Sequence, residues 1–294
     1  MIKGLGTALI TPFDANGKVD YEALARLLDT QLTGFVDYLV VLGTTGEAAT
    51  MTEKERAEVR TFIRQYVNGR IPLVLGVGGN CTAVVCESLK TIDLRGYEAI
   101  LSVCPYYNKP NQEGLYQHFC AVAEASPIPV LLYNVPGRTG VNLLPETVMR
   151  IYEAQPDKIL GIKEASGNIE QIKHLINLIN AEGQKRSEGA IHLPLVISGD
   201  DGIACEIMKA GGAGLISVAS NAFPEDFWHI VHDKDAALQA QYAEMVRLLF
   251  AEGNPVGIKA VLAQKGIIKN ILRLPLVPAS EGLQQAIRKE IQTQ

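Results

Sequence analysis

Cysteine, histidine and tryptophan are scarce, with five, five and one copies in 294 residues. The cysteines, at 81, 86, 104, 120 and 205, are odd in number and form no Cys-x-x-Cys pair. That excludes a disulfide frame and suits reduced thiols in a cytoplasmic protein. The histidines are scattered without a His-x-x-x-His or Cys/His cluster, so no zinc site is expected. Nothing approaches the run of about 18 apolar residues that spans a membrane. The first residues lack the basic stretch and apolar run of a signal peptide. Neither sign of charge dominates, since 27 Lys and Arg against 32 Asp and Glu leave −5. A mixed, slightly acidic chain argues against a nucleic-acid backbone as partner. Low-complexity linkers, internal repeats and charge runs are missing too.

Apolar residues, by contrast, make up 47% of the chain, and they recur in short runs. Strands are predicted at Gly4–Ile10, Asp37–Leu42, Leu73–Val77, Ala99–Val103, Val130–Tyr133, Ile159–Lys163, Leu195–Ser198 and Gly214–Val218. Amphipathic stretches between them, such as Tyr21–Leu32, Glu53–Val67, Ala83–Arg95 and Ile169–Ile179, predict helices. Leu24, Leu27, Leu28 and Leu32 keep the helical spacing, as do Leu175, Ile176 and Ile179. Near-continuous Val/Ile/Leu strands are what a parallel sheet covered by helices requires. Eight such alternations predict an α/β fold, a (β/α)8 TIM barrel, over residues 1–224. A doubly wound sheet competes, but its glycine-rich nucleotide loop is missing, and Gly76-Val77-Gly78-Gly79-Asn80-Cys81 comes closest. Residues 225–294 carry no strand pattern and are expected to be a C-terminal helical region, with helices at Ala236–Phe250, Pro255–Lys265 and Glu281–Gln292.

Barrel active sites collect at the C-terminal ends of the strands. Lys163 closes the sixth strand, and an amine stripped of water there favours its neutral, nucleophilic form toward carbonyls. The plain alternative is a lysine paired with Glu164 or solvated at the rim. Tyr133 closes the fifth strand, where a phenol can pass protons during imine formation; standing alone it would be a core tyrosine. Arg138, on the loop just beyond, offers a fork for a carboxylate, or simply a surface ion pair. After the second strand, Gly43-Thr44-Thr45-Gly46-Glu47 combines close backbone approach with hydroxyls and N–H groups suited to a small carboxylate. As a bare pattern it is also an ordinary turn and helix cap. The turns after strands seven and eight hold Asp200 and Asp201 and no cation, which disfavours a phosphorylated substrate.

These motifs resemble the dihydrodipicolinate synthase family of the class I, Schiff-base pyruvate aldolases, which also include N-acetylneuraminate lyase. Gly43–Glu47, Tyr133, and Lys163 with Glu164-Ala165-Ser166-Gly167 mark the superfamily. Tyr133–Gly140 and Cys104-Pro105-Tyr106-Tyr107-Asn108-Lys109-Pro110 point to the synthases within it. The resemblance implies a carbon–oxygen lyase of diaminopimelate and lysine synthesis that condenses pyruvate with L-aspartate 4-semialdehyde and needs no cofactor. It implies an imine on Lys163, a proton relay of Tyr133, Thr44 and Tyr107, and a Tyr107 that reaches a neighbouring subunit's site. Thr45 would hold the pyruvate carboxylate, Arg138 would receive the semialdehyde, and the backbone of Gly199 and Ile216 would line the pocket. A cytoplasmic homotetramer, a dimer of dimers, is the assembly implied. A sugar-acid lyase of the superfamily and a non-catalytic regulatory barrel are the alternatives.

The resemblance also maps a regulatory pocket for lysine onto Ala49, Asn80, Tyr106 and Val84. Inhibited members carry an acid where Val84 stands, and some carry histidines at the positions of Glu53 and Arg56. Weak or absent inhibition is therefore expected, with Glu53 the one acid able to substitute.

Overall fold

The computed structural model describes residues 2–185 and 192–293. Its strands are β1 (Gly4–Ala8), β2 (Tyr38–Val41), β3 (Leu73–Gly76), β4 (Ala99–Val103), β5 (Val130–Asn134), β6 (Ile159–Glu164), β7 (Leu195–Ser198) and β8 (Gly214–Ser217). They form one closed barrel in chain order, with parallel pairing, so the predicted TIM barrel is what the chain adopts. Almost every strand residue is buried, as expected for strands with side chains on one face in the barrel and on the other under helices. The described residues group into two compact units, one running to Leu73 and resuming at Ile216, the other running from Val74 to Leu215.

In the first unit, helix Tyr21–Thr33 starts where the Asp20 side chain accepts from the N–H of Ala23. Helix Glu53–Val67 opens on a reciprocal capping box of Thr52 and Glu55. Leu24, Leu27 and Leu28 are fully buried as their spacing predicts, but the last turn buries Gln31 rather than Leu32. The Gln31 amide donates to the carbonyls of Ser220 and Asn221 at 3.1 and 3.2 Å, so a polar side chain reaches the interior with its donors satisfied. The tail holds helices Pro224–His232, Ala236–Gln241, Ala243–Phe250, Val256–Gln264 and Glu281–Ile291. The single helix expected at 236–250 is thus two, broken at Tyr242, whose hydroxyl donates to Asp226 at 2.7 Å.

In the second unit, the helix expected at 83–95 is shorter, Thr82–Thr91, because Ile92 turns extended; helix Ile169–Lys185 runs past its expected end. One irregularity decides where the chemistry sits. β5 and β6 pair Val130 with Ile159 but Leu131 with Gly161, so Leu160 is an extra residue in β6. From there the register matches Tyr133 with Lys163 and Asn134 with Glu164. Without the bulge Tyr133 would face Ile162, and Lys163 would stand on the other face. Gly161 is required at the bulge, since a Cβ would lie 2.1 Å from the carbonyl oxygen of Leu195.

Candidate active site

Lys163 and Tyr133 sit at the C-terminal ends of neighbouring strands, each only 6% exposed. The Lys163 Nζ lies 4.4 Å from the centre of the Tyr133 ring, over its electron-rich face. Among the described residues no carboxylate pairs with this amine and no acceptor hydrogen-bonds to it. The alternative of a Lys163–Glu164 pair is therefore excluded. Strand alternation sends Glu164 the other way, where the Asn134 amide donates to both its oxygens at 3.2 and 2.9 Å and the Ser166 N–H adds a third bond at 2.7 Å. Burial raises the Glu164 carboxyl despite these donors. Asn142 and Gln171 extend the network, and Asn134 Oδ1 accepts the Leu143 N–H. Two successive residues thus serve opposite faces: Lys163 one without a polar partner for its amine among the described residues, Glu164 a closed, fully bonded one.

Gly199 follows β7 and packs against the stem of the same lysine. A Cβ there would lie 2.9 Å from Lys163 Cε and 2.7 Å from Ala165 Cβ, while its N–H donates to the Glu164 carbonyl at 2.7 Å. Any larger residue would displace the lysine stem. Arg138 is exposed, within the single turn Pro136–Thr139. Tyr107 is tied to that turn by its N–H, which donates to the Thr139 carbonyl at 3.2 Å. Its backbone is left-handed, at φ 75°, and its side chain is 89% exposed.

Thr44, Thr45 and Ile216 belong to the first unit. Thr44–Gly46 forms a tight turn after β2, with Thr44 exposed and Thr45 buried, and Ile216 is buried in β8. The Thr11 hydroxyl donates to the Gly46 carbonyl at 2.7 Å, and the Asn254 amide donates to Thr45 Oγ1 at 2.9 Å. Glu47 ends the turn in a left-handed conformation, φ 53°, and is ion-paired with Lys259; both side chains are fully buried. The Arg273 N–H adds a bond to Glu47 at 3.1 Å, and Lys259 donates to the Ile271 carbonyl at 3.0 Å. Lys259 and Arg273 also stand over the Phe13 ring, at 4.2 and 4.3 Å from its centre. Burial pushes the Lys259 ammonium down to about 8 against the pull of Glu47.

The sequence profile of the dihydrodipicolinate synthetase family matches residues 1–294. The chain belongs to that family. It is 48% identical to the 4-hydroxy-tetrahydrodipicolinate synthase of Parabacteroides distasonis, over 98% of this chain and 95% of the relative. The crystal structure of dihydrodipicolinate synthase from Thermotoga maritima superposes with a TM-score of 0.92 at 40% identity, covering 100% of this chain and 98% of that one. The chloride-inhibited dihydrodipicolinate synthase from Acinetobacter baumannii, solved in complex with pyruvate, superposes at 0.91 with 37% identity, over 99% and 98%. The family and its Schiff-base synthase activity, expected from the motifs, are borne out.

Several features went unread in the sequence of this dihydrodipicolinate synthetase family member. Asn134 and Asn142 behind the lysine, and Asn254, Lys259 and Arg273 behind the Thr44–Thr45 turn, were not singled out. The last three lie more than 200 residues from Thr45 and Glu47, beyond the reach of periodicity. The one available signal was Lys259 itself, a charge inside the apolar run Val256–Leu262. On the regulatory side, Ala49 and Asn80 are exposed, Val84 is 62% exposed and Tyr106 42%. Glu53 is bound by Arg56 and Arg60, at 2.9 and 3.0 Å. Burial works to raise its carboxyl, but the two guanidiniums outweigh it and hold the group below its ordinary range. Among the described residues no helix is long and apolar enough to cross a membrane.

Proposed function

We propose that this chain condenses pyruvate with L-aspartate 4-semialdehyde through an imine on Lys163. The observation that carries the reading is a buried strand-end amine with no counter-ion among the described residues, set over the ring of Tyr133. The neutral amine adds to C2 of pyruvate, and one water leaves as the imine forms. The protonated imine draws electrons from the methyl group, which gives up a proton to form the enamine. The enamine carbon then bonds to the aldehyde carbon of the second substrate, whose oxygen takes up a proton. Attack by that substrate's own amine on the imine carbon closes the ring and returns Lys163 free. The balance is two substrates in, one cyclic product and one water out.

In this reading Tyr133, Thr44 and Tyr107 carry the protons, and Thr45 with its turn holds the pyruvate carboxylate. Arg138 receives the carboxylate of the semialdehyde, while Gly199 and Ile216 line the pocket with backbone. Residues 1–224 form the catalytic barrel and 225–294 its helical region. The assembly is a cytoplasmic homotetramer in which Tyr107 serves the neighbouring subunit. An aromatic side chain 89% exposed on left-handed backbone supports that last role, since such a conformation persists where a partner makes use of it. Assay of the purified protein with pyruvate plus semialdehyde, and separately with N-acetylneuraminate, tests the function. Turnover of the first alone is expected. Cleavage of the sugar acid, or no turnover of either, overturns it.

A further inference from the structure

The turn Thr44–Gly46 is held by Thr11, whose hydroxyl donates to the Gly46 carbonyl, and by residues of the C-terminal tail. Asn254 donates its amide N–H to Thr45 Oγ1 at 2.9 Å, and both side chains are buried. A hydroxyl that accepts from an amide cannot aim its own proton back at that nitrogen, so the Thr45 O–H is left to donate to another acceptor. Glu47, which ends the turn, is left-handed, a conformation a glutamate keeps only where its surroundings impose it. What imposes it is the fully buried Lys259 ammonium on the side chain, together with the Arg273 N–H.

We propose that Asn254 and Lys259 are positioning residues for pyruvate. Asn254 orients the Thr45 hydroxyl as a donor to the substrate's carboxylate. Lys259, through Glu47, fixes the turn whose N–H groups complete the cradle. The inference rests on the assignment of Thr45 to the pyruvate carboxylate, and its test separates the two.

Five proteins are compared: the unaltered enzyme, Thr45→Ala, Asn254→Ala, the double variant Lys259→Met/Glu47→Gln, and Leu249→Ala as a core substitution in the tail. The readouts are KM for each substrate, kcat, and the rise in melting temperature on adding pyruvate. Asn254→Ala and the double variant are expected to raise the pyruvate KM roughly ten-fold, the scale of one charge-assisted contact, while the semialdehyde KM and kcat barely change. Leu249→Ala lowers the melting temperature and leaves the pyruvate KM alone. If the double variant fails to fold, Asn254→Ala decides. An unchanged pyruvate KM in Asn254→Ala beside a raised one in Thr45→Ala overturns the positioning role and keeps the Thr45 assignment. An unchanged KM in Thr45→Ala overturns both. Loss of kcat and both KM values together marks a merely structural residue and also overturns the proposal.

Discussion

Among the described residues two lysine side chains are buried, and they are buried differently. Lys259 is fully enclosed, paired with Glu47, bonded to the Ile271 carbonyl and set over Phe13. Lys163 is 6% exposed, and its amine stands over the Tyr133 ring with no ion-pair or hydrogen-bond partner among the described residues. Burial depresses the proton affinity of Lys259 to about 8, and on that ground alone it would be chosen as the nucleophile. Geometry reverses the choice. An amine enclosed on every side and committed to a carboxylate cannot meet a carbonyl carbon. The amine that has, among the described residues, no counter-ion and no hydrogen-bond acceptor can. Depressed proton affinity reports burial, whereas reactivity needs an amine not already committed to a partner.

Substituting the two lysines in turn gives the largest expected contrast. Lys163→Ala should reduce turnover to background while leaving the melting temperature close to that of the unaltered protein. Lys259→Ala leaves Glu47 buried and uncompensated, and should cost about 3–5 kcal/mol of stability in denaturant unfolding. Equal stability losses in both, or equal losses of turnover per folded molecule, would erase the distinction.

Arg138 sharpens the comparison on the side of Lys163. If it receives only the second substrate, Arg138→Ala should lower kcat/KM for the semialdehyde by roughly 1.5–3 kcal/mol and leave imine formation with pyruvate intact. Loss of pyruvate trapping in parallel would assign Arg138 to the whole site.

On the side of Lys259, Arg273 also binds Glu55, and that hydrogen bond holds the Glu55 carboxyl down to about 2. A carboxylate with lowered affinity stabilises the fold fully above its unfolded value near 4.5, and the contribution is lost as the pH falls toward 2. Glu55→Gln should therefore cost about 1 kcal/mol at neutral pH, a modest figure because the side chain is 27% exposed, and nothing once the pH is well below the folded value of about 2. A cost that stays constant across that acid range would show that the pair is not its source.

The smallest effect concerns inhibition by lysine. Val84 offers no charge to an α-ammonium, and Glu53 is held by Arg56 and Arg60. Burying an ammonium there loses water without gaining an ion pair. L-Lysine should inhibit weakly or not at all, and Val84→Glu should strengthen inhibition. Potent inhibition of the unaltered enzyme at sub-millimolar lysine would refute this.

The barrel was legible because strands covered on both faces leave continuous apolar runs, and all eight were placed within two or three residues of their ends. Lys163, Tyr133 and the Thr44–Thr45 turn were legible because each leaves the C-terminal end of its own strand. What could not be read was anything set by pairing rather than by period. The extra residue Leu160 changes no apolar pattern, yet it decides which face Lys163 shares with Tyr133. Gln31 replaces Leu32 in the interior because two distant carbonyls receive its amide. Lys259 meets Glu47 across more than 200 residues, and neither residue announces the other.

The most direct test of the account is reduction with borohydride in the presence of pyruvate, followed by peptide mapping. A pyruvate adduct is expected on Lys163 and none on Lys259, Lys158 or Lys109. An adduct on Lys259, or trapping that persists in Lys163→Ala, would contradict it.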